Sequence, residues 1–116
     1  MNKKILIIED RMDIQKEWKD SLAEYPVEII SAYSVVGAKI AFNSNNDLDI
    51  IAVDACVPGS EPNTMEIVKN FRTLFRGPMI AISNRDDFNN LLVSAGCDHK
   101  TEKYKLFEKI KEILNF

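Results

Sequence analysis

Five short apolar segments, each followed by a stretch with helical periodicity, constrain this chain more than any other feature of it. The first, in "KKILIIED", runs from Ile5 to Ile8, is too short for a helix and ends in two acids. It reads as a buried strand. Ile14, Trp18 and Leu22 then recur at a spacing of four among lysines and glutamates, the pattern of an amphipathic helix with Trp18 in the core. Beyond Pro26, "VEIISAY" reads as a second strand. "SVVGAKIAF" offers Ser34 as an N-cap and sets Val36 and Ile40 on one helix face. The third strand is "DIIAVDA", after which Met65, Val68, Phe71 and Phe75, with Ile67 and Leu74 beside them, mark a helix. "GPMIAIS" is a fourth strand, and Phe88, Leu91, Leu92 and Ala95 mark a short helix ended by Gly96. A polar fifth strand is expected from about Cys97 to Glu102. Leu106, Phe107, Ile110, Ile113 and Leu114 form the stripe of the last helix.

Strand and helix repeated five times imply parallel strands joined by right-handed crossovers, with helices on both faces of the sheet. The expected class is α/β, a doubly wound (βα)5 sheet of five parallel strands. Strands one, three and four are apolar enough for its centre, and the polar fifth suits an edge. No repeat or low-complexity linker interrupts the chain, so residues 1–116 are expected to form a single domain.

At 116 residues and 46% hydrophobic content a substantial core is available. A net charge of −3 argues against direct nucleic-acid binding by electrostatics. No apolar run reaches membrane-spanning length and the N-terminus lacks the apolar region of a secretory signal, so a cytoplasmic protein with no membrane partner is expected. Cys56 and Cys97 sit outside any CxxC pair and are expected to be reduced thiols, with Cys56 partly exposed. His99, the single histidine, reads as a surface strand residue, and no ligand spacing suggests zinc. The lysines of "KTEKYKLFEKIKEIL" interleave with glutamates and read as a solvated helix face.

Ligand sites in open parallel sheets lie beyond the carboxyl ends of the strands. That edge collects Glu9 and Asp10 after strand one, Asp54 after strand three, Ser83 at the end of strand four, and the lysines after strand five. Three converging carboxylates repel one another, and hard oxygen ligands suit Mg²⁺, which takes one or two carboxylates together with waters and phosphate oxygens. A hydroxyl from Ser83 and a lysine ammonium could each meet a phosphate oxygen. The set makes sense as a carboxylate nucleophile, a metal and two phosphate contacts. Taken singly, each residue also has a plain structural role: Asp54 and Ser83 as helix caps, Glu9 and Asp10 as acids at a helix N-terminus, Asp13 as a first-turn acid.

The order of these residues resembles the receiver domain of two-component response regulators over nearly the whole chain. The acidic pair after strand one is matched by Glu9 and Asp10 in "IIED". The phosphoacceptor four residues before a proline is matched by Asp54 and Pro58 in "DACVP". The hydroxyl ending strand four is matched by Ser83, and the lysine seven residues after a glycine by Lys103 after Gly96. The resemblance implies a flavodoxin-like strand order of 2-1-3-4-5. It implies phosphotransfer to Asp54 from a sensor histidine kinase or a histidine phosphotransfer protein, and Mg²⁺ held by Glu9, Asp10, Asp54 and the backbone carbonyl of Cys56. Such a domain catalyses only its own phosphorylation and dephosphorylation, and signals to an output protein that the residues do not name.

Departures from the family pattern are equally specific. Tyr104 follows Lys103 where the family has proline, and Lys100 stands where the family has a switch aromatic. Lys100 is therefore a rival to Lys103 for the conserved lysine. Asn84 and Arg85 follow Ser83 where a small residue is usual. The segment from Ser83 to Gly96 is about two residues short, which predicts a truncated fourth helix, and the loop after Asp54 carries extra residues around Glu61 and Pro62. These changes keep open a degenerate receiver that works as a phosphate-independent interaction or homodimerisation module. Haloacid-dehalogenase chemistry needs a second aspartate where Cys56 stands, and an FMN site is ill served by the acidic "IIEDRMD".

Overall fold

The computed structural model describes residues 2–116. Its elements alternate as β1 (Lys3–Ile8), α1 (Met12–Ser21), β2 (Val27–Ala32), α2 (Val35–Ser44), β3 (Ile50–Val53), α3 (Met65–Arg72), β4 (Met79–Ala81), α4 (Asp86–Ala95) and β5 (His99–Lys100). A 3₁₀ turn over Lys103–Lys105 leads into α5 (Leu106–Leu114). All five strands are parallel, in the order β2-β1-β3-β4-β5. The alternation predicts this doubly wound parallel sheet, and the resemblance implies its flavodoxin-like strand order.

The pleat divides the apolar residues of each strand between two cores. Leu6 and Ile8 of β1, Ile51 and Val53 of β3, and Met79 and Ala81 of β4 pack toward Ala38 of α2, Val68 and Phe71 of α3 and Leu92 of α4. Ile5, Ile7, Ile50, Ala52 and Ile80 point the other way, onto Trp18 of α1 and Leu106 and Ile110 of α5. Both faces of β1 and β3 are therefore dry. Each fully buried Ile or Leu there contributes roughly 1.5–3 kcal/mol through burial, which fixes the sheet centre as a rigid platform for the residues at its carboxyl edge.

Local signals explain the helix ends. Ser34 caps α2 by accepting the Gly37 N–H at 3.0 Å. Gly96 ends α4 with φ 145°, where its N–H reaches the Leu92 and Val93 carbonyls. A Cβ there would lie 3.2 Å from the Arg72 side chain, so both the backbone conformation and the close approach favour glycine.

Four expectations are corrected. In α2, Val36 and Ile40 face solvent, at 66% and 62% exposure, whereas Ala38 is fully buried and Phe42 stacks on Phe71 at 4.0 Å. α2 is apolar on several faces, so spacing alone does not select the buried one. The small Ala38 lets that face approach the sheet, and Phe42 finds an aromatic partner on α3. Leu74, two residues past the end of α3, is 76% exposed, whereas Phe75 beside it still packs against the core. The fifth strand is two residues rather than six, although Asp98 and Thr101 still donate to the Met79 and Ala81 carbonyls. α4 is not truncated: it runs ten residues, as long as α1 and α2. No helix among the described residues is long and apolar enough to cross a membrane.

Candidate functional site

The platform ends in charge. Glu9 follows β1 directly, and its backbone N–H continues the ladder to the Ala32 carbonyl at 3.0 Å. Asp54 follows β3 in the same way, donating to the Ile8 carbonyl at 2.9 Å. Sheet registration thus sets the two residues side by side. Glu9 is wholly buried and Asp54 is 5% exposed, while Asp10 is half-buried. Carboxylate oxygens of Glu9, Asp10 and Asp54 all lie within 4.8 Å of one another.

Lys103 answers this concentration of negative charge. Its ammonium stands 2.7 Å from Glu9 Oε1 and 3.1 Å from Asp54 Oδ2. Lys100, its rival on sequence, points elsewhere and pairs with Asp86 and Asn90 on α4, each at 2.9 Å. Asp13 is also outside the cluster, paired with Arg11 at 2.7 Å.

Burial pushes the carboxyls of Glu9 and Asp54 above the usual carboxylate range, and the Lys103 ammonium only partly opposes it. Burial alone would pull the Lys103 ammonium down, but Glu9 and Asp54 together outweigh that and hold its pKa above the ordinary lysine value. The site stores uncompensated negative charge, and that is the condition under which a cation binds. The donor set is all hard oxygen, which fits Mg²⁺ by type. The Asp54 and Ala55 carbonyls already accept from the Thr64 hydroxyl, at 2.8 and 3.1 Å, and Asn63 also donates to Ala55. The next carbonyl along the chain is that of Cys56.

Across the site, Ser83 follows the short β4 strand and is 5% exposed. Its Oγ accepts the Arg85 N–H at 3.1 Å, a turn contact rather than a cap on α4. Asp54, Cys56, Ser83, Asn84, Arg85 and Lys103 line one cleft of about 230 Å³. The structure therefore brings Glu9, Asp10, Asp54, Ser83 and Lys103 to one edge of the sheet, and leaves Lys100 and Asp13 outside.

Comparisons with known proteins agree with this geometry. No family model matches the chain, and no curated protein sequence does so either. Solved structures do. A two-component response regulator from Clostridium difficile superposes with a TM-score of 0.82 at 26% identity, covering 98% of this chain and 97% of its own. The chain resembles the receiver domain of response regulators. The receiver fold is matched equally by a receiver domain from Methylobacillus flagellatus, with a TM-score of 0.80 at 19% identity over 99% of this chain and 98% of its own. A response regulator from Burkholderia pseudomallei, solved with a phosphorylated aspartic acid and a calcium ion, has a TM-score of 0.82 at 16% identity, over 97% of this chain and 66% of its own.

Within this receiver fold the unusual residues have defined places. Arg85 lies 3.9 Å over the Phe88 ring and pairs with Asp87 at 2.7 Å. Asn84 is exposed, and its Oδ1 accepts the Lys103 N–H at 2.9 Å. Cys56 is 7% exposed rather than partly open, and the turn after it is closed by Asn63, whose side chain bonds both the N–H and the carbonyl of Val57. Burial, with Asp54 and Glu61 adding to it, pushes the Cys56 thiol up. Cys97 is pushed up to about 12 by burial. Neither cysteine is in a disulfide. His99 is half-buried on the edge strand.

Two supporting residues were missed in the sequence. Gln15 is 1% exposed and its amide donates to the Ile7, Glu9 and Ala32 carbonyls, gathering the ends of β1 and β2 around Glu9. Asn89, 4% exposed, accepts the Ser83 N–H at 2.8 Å and donates to the Ser83 and Thr101 carbonyls. A signal existed for both. Gln15 sits three residues before Trp18 and Asn89 three before Leu92, so each is a polar residue inside an apolar stripe, which must find partners when buried.

Proposed function

We propose that this chain is a phospho-accepting receiver in which Asp54 takes a phosphoryl group and the resulting change alters a protein-binding surface. The observation that carries the reading is the Lys103 ammonium bridging the buried Glu9 and Asp54 carboxylates, with Asp10 in the same cluster. Asp54 is the nucleophile. One of its oxygens attacks the phosphorus of a phosphohistidine, and the P–N bond breaks with its electron pair passing to the imidazole. Water later attacks the same phosphorus, releasing inorganic phosphate and restoring the carboxylate. Lys103 contacts one phosphoryl oxygen, and the Ser83 hydroxyl turns from its contact with Arg85 to donate to another. Mg²⁺ held by Glu9, Asp10, Asp54 and the Cys56 carbonyl would neutralise charge on the transferring group. The chemistry is self-directed, so the chain is not an enzyme acting on a separate substrate.

The donor on this reading is a sensor histidine kinase or histidine phosphotransfer protein, and the chain acts in the cytoplasm on an output protein. Phosphorylation adds about two negative charges, which can shift a pre-existing equilibrium of the α4 surface. The test is the intact mass after incubation with acetyl phosphate and Mg²⁺, beside Asp54→Asn. A phosphoryl adduct in the wild type and none in the variant is the expected result. A folded, Mg²⁺-loaded protein with no adduct overturns the reading.

One observation favours a second reading. Lys100 occupies the place of the switch aromatic and is tied to Asp86 and Asn90, so the usual ring-to-hydroxyl coupling has no ring. A phosphate-independent interaction or homodimerisation module would tolerate that loss, and would keep its partner after Asp54→Ala.

A further inference from the structure

Lys103 can neutralise two buried carboxylates only if its backbone is held in one place. A lysine side chain has four rotatable bonds, and its ammonium must sit within about 3 Å of both Glu9 and Asp54. The local chain offers little help. Lys103 opens a 3₁₀ turn of three residues, a short element whose first N–H has no acceptor within the turn. The following residue, Tyr104, is 70% exposed.

Two contacts from distant elements make up the deficit. The Lys103 N–H donates to Asn84 Oδ1 at 2.9 Å, from the loop immediately after Ser83. The Lys103 carbonyl accepts the Trp18 indole Nε1–H of α1 at 3.3 Å, in addition to the turn N–H that closes on it. One peptide donor and one carbonyl of the same residue are thus held by two separate elements, the loop before α4 and helix α1. Trp18 is 5% exposed and packed in the core, so its indole is a fixed post. Asn84 is on the surface, directly bonded in sequence to Ser83.

We propose that Asn84 and Trp18 are positioning residues for Lys103, clamping its backbone so that the ammonium is aimed at Asp54. The clamp also links two phosphate contacts mechanically. Any movement of Ser83 toward a group on Asp54 carries Asn84 with it, and Asn84 carries the Lys103 turn. Coupling between the β4 end and the lysine then runs through this hydrogen bond. The inference rests on the receiver reading for its effect on phosphorylation, and on the geometry alone for the placement of the ammonium.

The experiment separates the two. The chain has a single tryptophan, so its indole N–H gives one unambiguous NMR signal. The Lys103 ammonium, held by two carboxylates, gives a second. Wild type, Asn84→Ala and Asn84→Asp are compared, the last keeping an acceptor oxygen at the same place. Asn84→Ala is expected to shift the indole signal, broaden the Lys103 ammonium signal and slow acetyl phosphate labelling of Asp54 by about tenfold to a hundredfold, a misplacement of about 1 Å costing up to about a hundredfold. Asn84→Asp is expected to retain both signals. If Asn84→Ala leaves both signals in place, the clamp is refuted. If the signals respond but wild-type Asp54 takes no phosphoryl group, the receiver reading fails and the clamp stands.

Discussion

Replacing Asp54 with asparagine should make the metal-free protein more stable while removing the proposed acceptor. The carboxylate oxygens of Asp54, Glu9 and Asp10 lie within 4.8 Å of one another. At an effective dielectric of about 20, each repulsion involving Asp54 costs roughly 3.5 kcal/mol. The opposing attraction to Lys103 at 3.1 Å is worth about 5 kcal/mol on the same scale. Burial of the Asp54 carboxylate is the largest cost, the repulsions add to it and Lys103 offsets most of them, which leaves a net penalty of about 1–2 kcal/mol. The direction agrees with an Asp54 carboxyl pushed above its usual range by burial even with Lys103 beside it. The expected gain in melting temperature is about 4–8 °C at pH 7 in EDTA, followed by circular dichroism.

The sign of the pH dependence follows from the same shift. A carboxyl whose folded pKa exceeds its unfolded value stabilises fully below the unfolded value, near 3.9, and that contribution is lost as pH rises through the folded value. The gap between Asp54→Asn and wild type should therefore be widest at neutral pH and close toward pH 4. Added Mg²⁺ should raise the wild type more than the variant. An Asp54→Asn protein that melts at or below wild type at pH 7, or a gap that does not change with pH, would refute the charge argument.

Other outcomes follow from individual contacts. Lys103→Met strands two buried carboxylates and should cost about 3 kcal/mol in urea denaturation without metal, with Mg²⁺ recovering part of the loss. Lys100→Met, which loses only surface contacts to Asp86 and Asn90, should change stability by less than about 0.5 kcal/mol. Asn89→Ala leaves the Ser83 N–H and two carbonyls without partners and should cost about 2–3 kcal/mol by the same assay. Ellman's reagent should leave Cys97 unlabelled in the native protein and reach Cys56 slowly, because both thiols are buried and pushed up; both should react at once in guanidinium.

The alternation of apolar runs with helical stripes was legible because both periods are local: a strand or helix declares its face within a few residues. The placement of Glu9, Asp10 and Asp54 at one edge followed, since parallel strands put all their carboxyl ends together. Gly96 and Ser34 were legible as helix punctuation, because a cap depends on its own few neighbours. The inward face of α2 was not. Four apolar residues at different angles satisfy the same spacing, and only the stacking of Phe42 on Phe71 and the close approach of Ala38 to the sheet decide which are buried. Likewise the sequence offered a polar Gln15 and Asn89 without saying which carbonyls would claim them.

The choice between Lys100 and Lys103 marks the boundary most clearly. Both follow Gly96 within a few residues, and both are lysines on flexible stems. Spacing from Gly96 already favours Lys103; what fixes it in space is the 3₁₀ turn, the carbonyl held by Trp18 from 85 residues away and the N–H taken by Asn84 from 19 residues away. By itself the sequence determined the order of the elements and the edge where charge must gather, because those depend on short-range periodicity. Spacing favours Lys103, and the tertiary structure decided that its ammonium answers that charge, because an ion pair across a sheet edge is set by backbone anchors that no local pattern encodes.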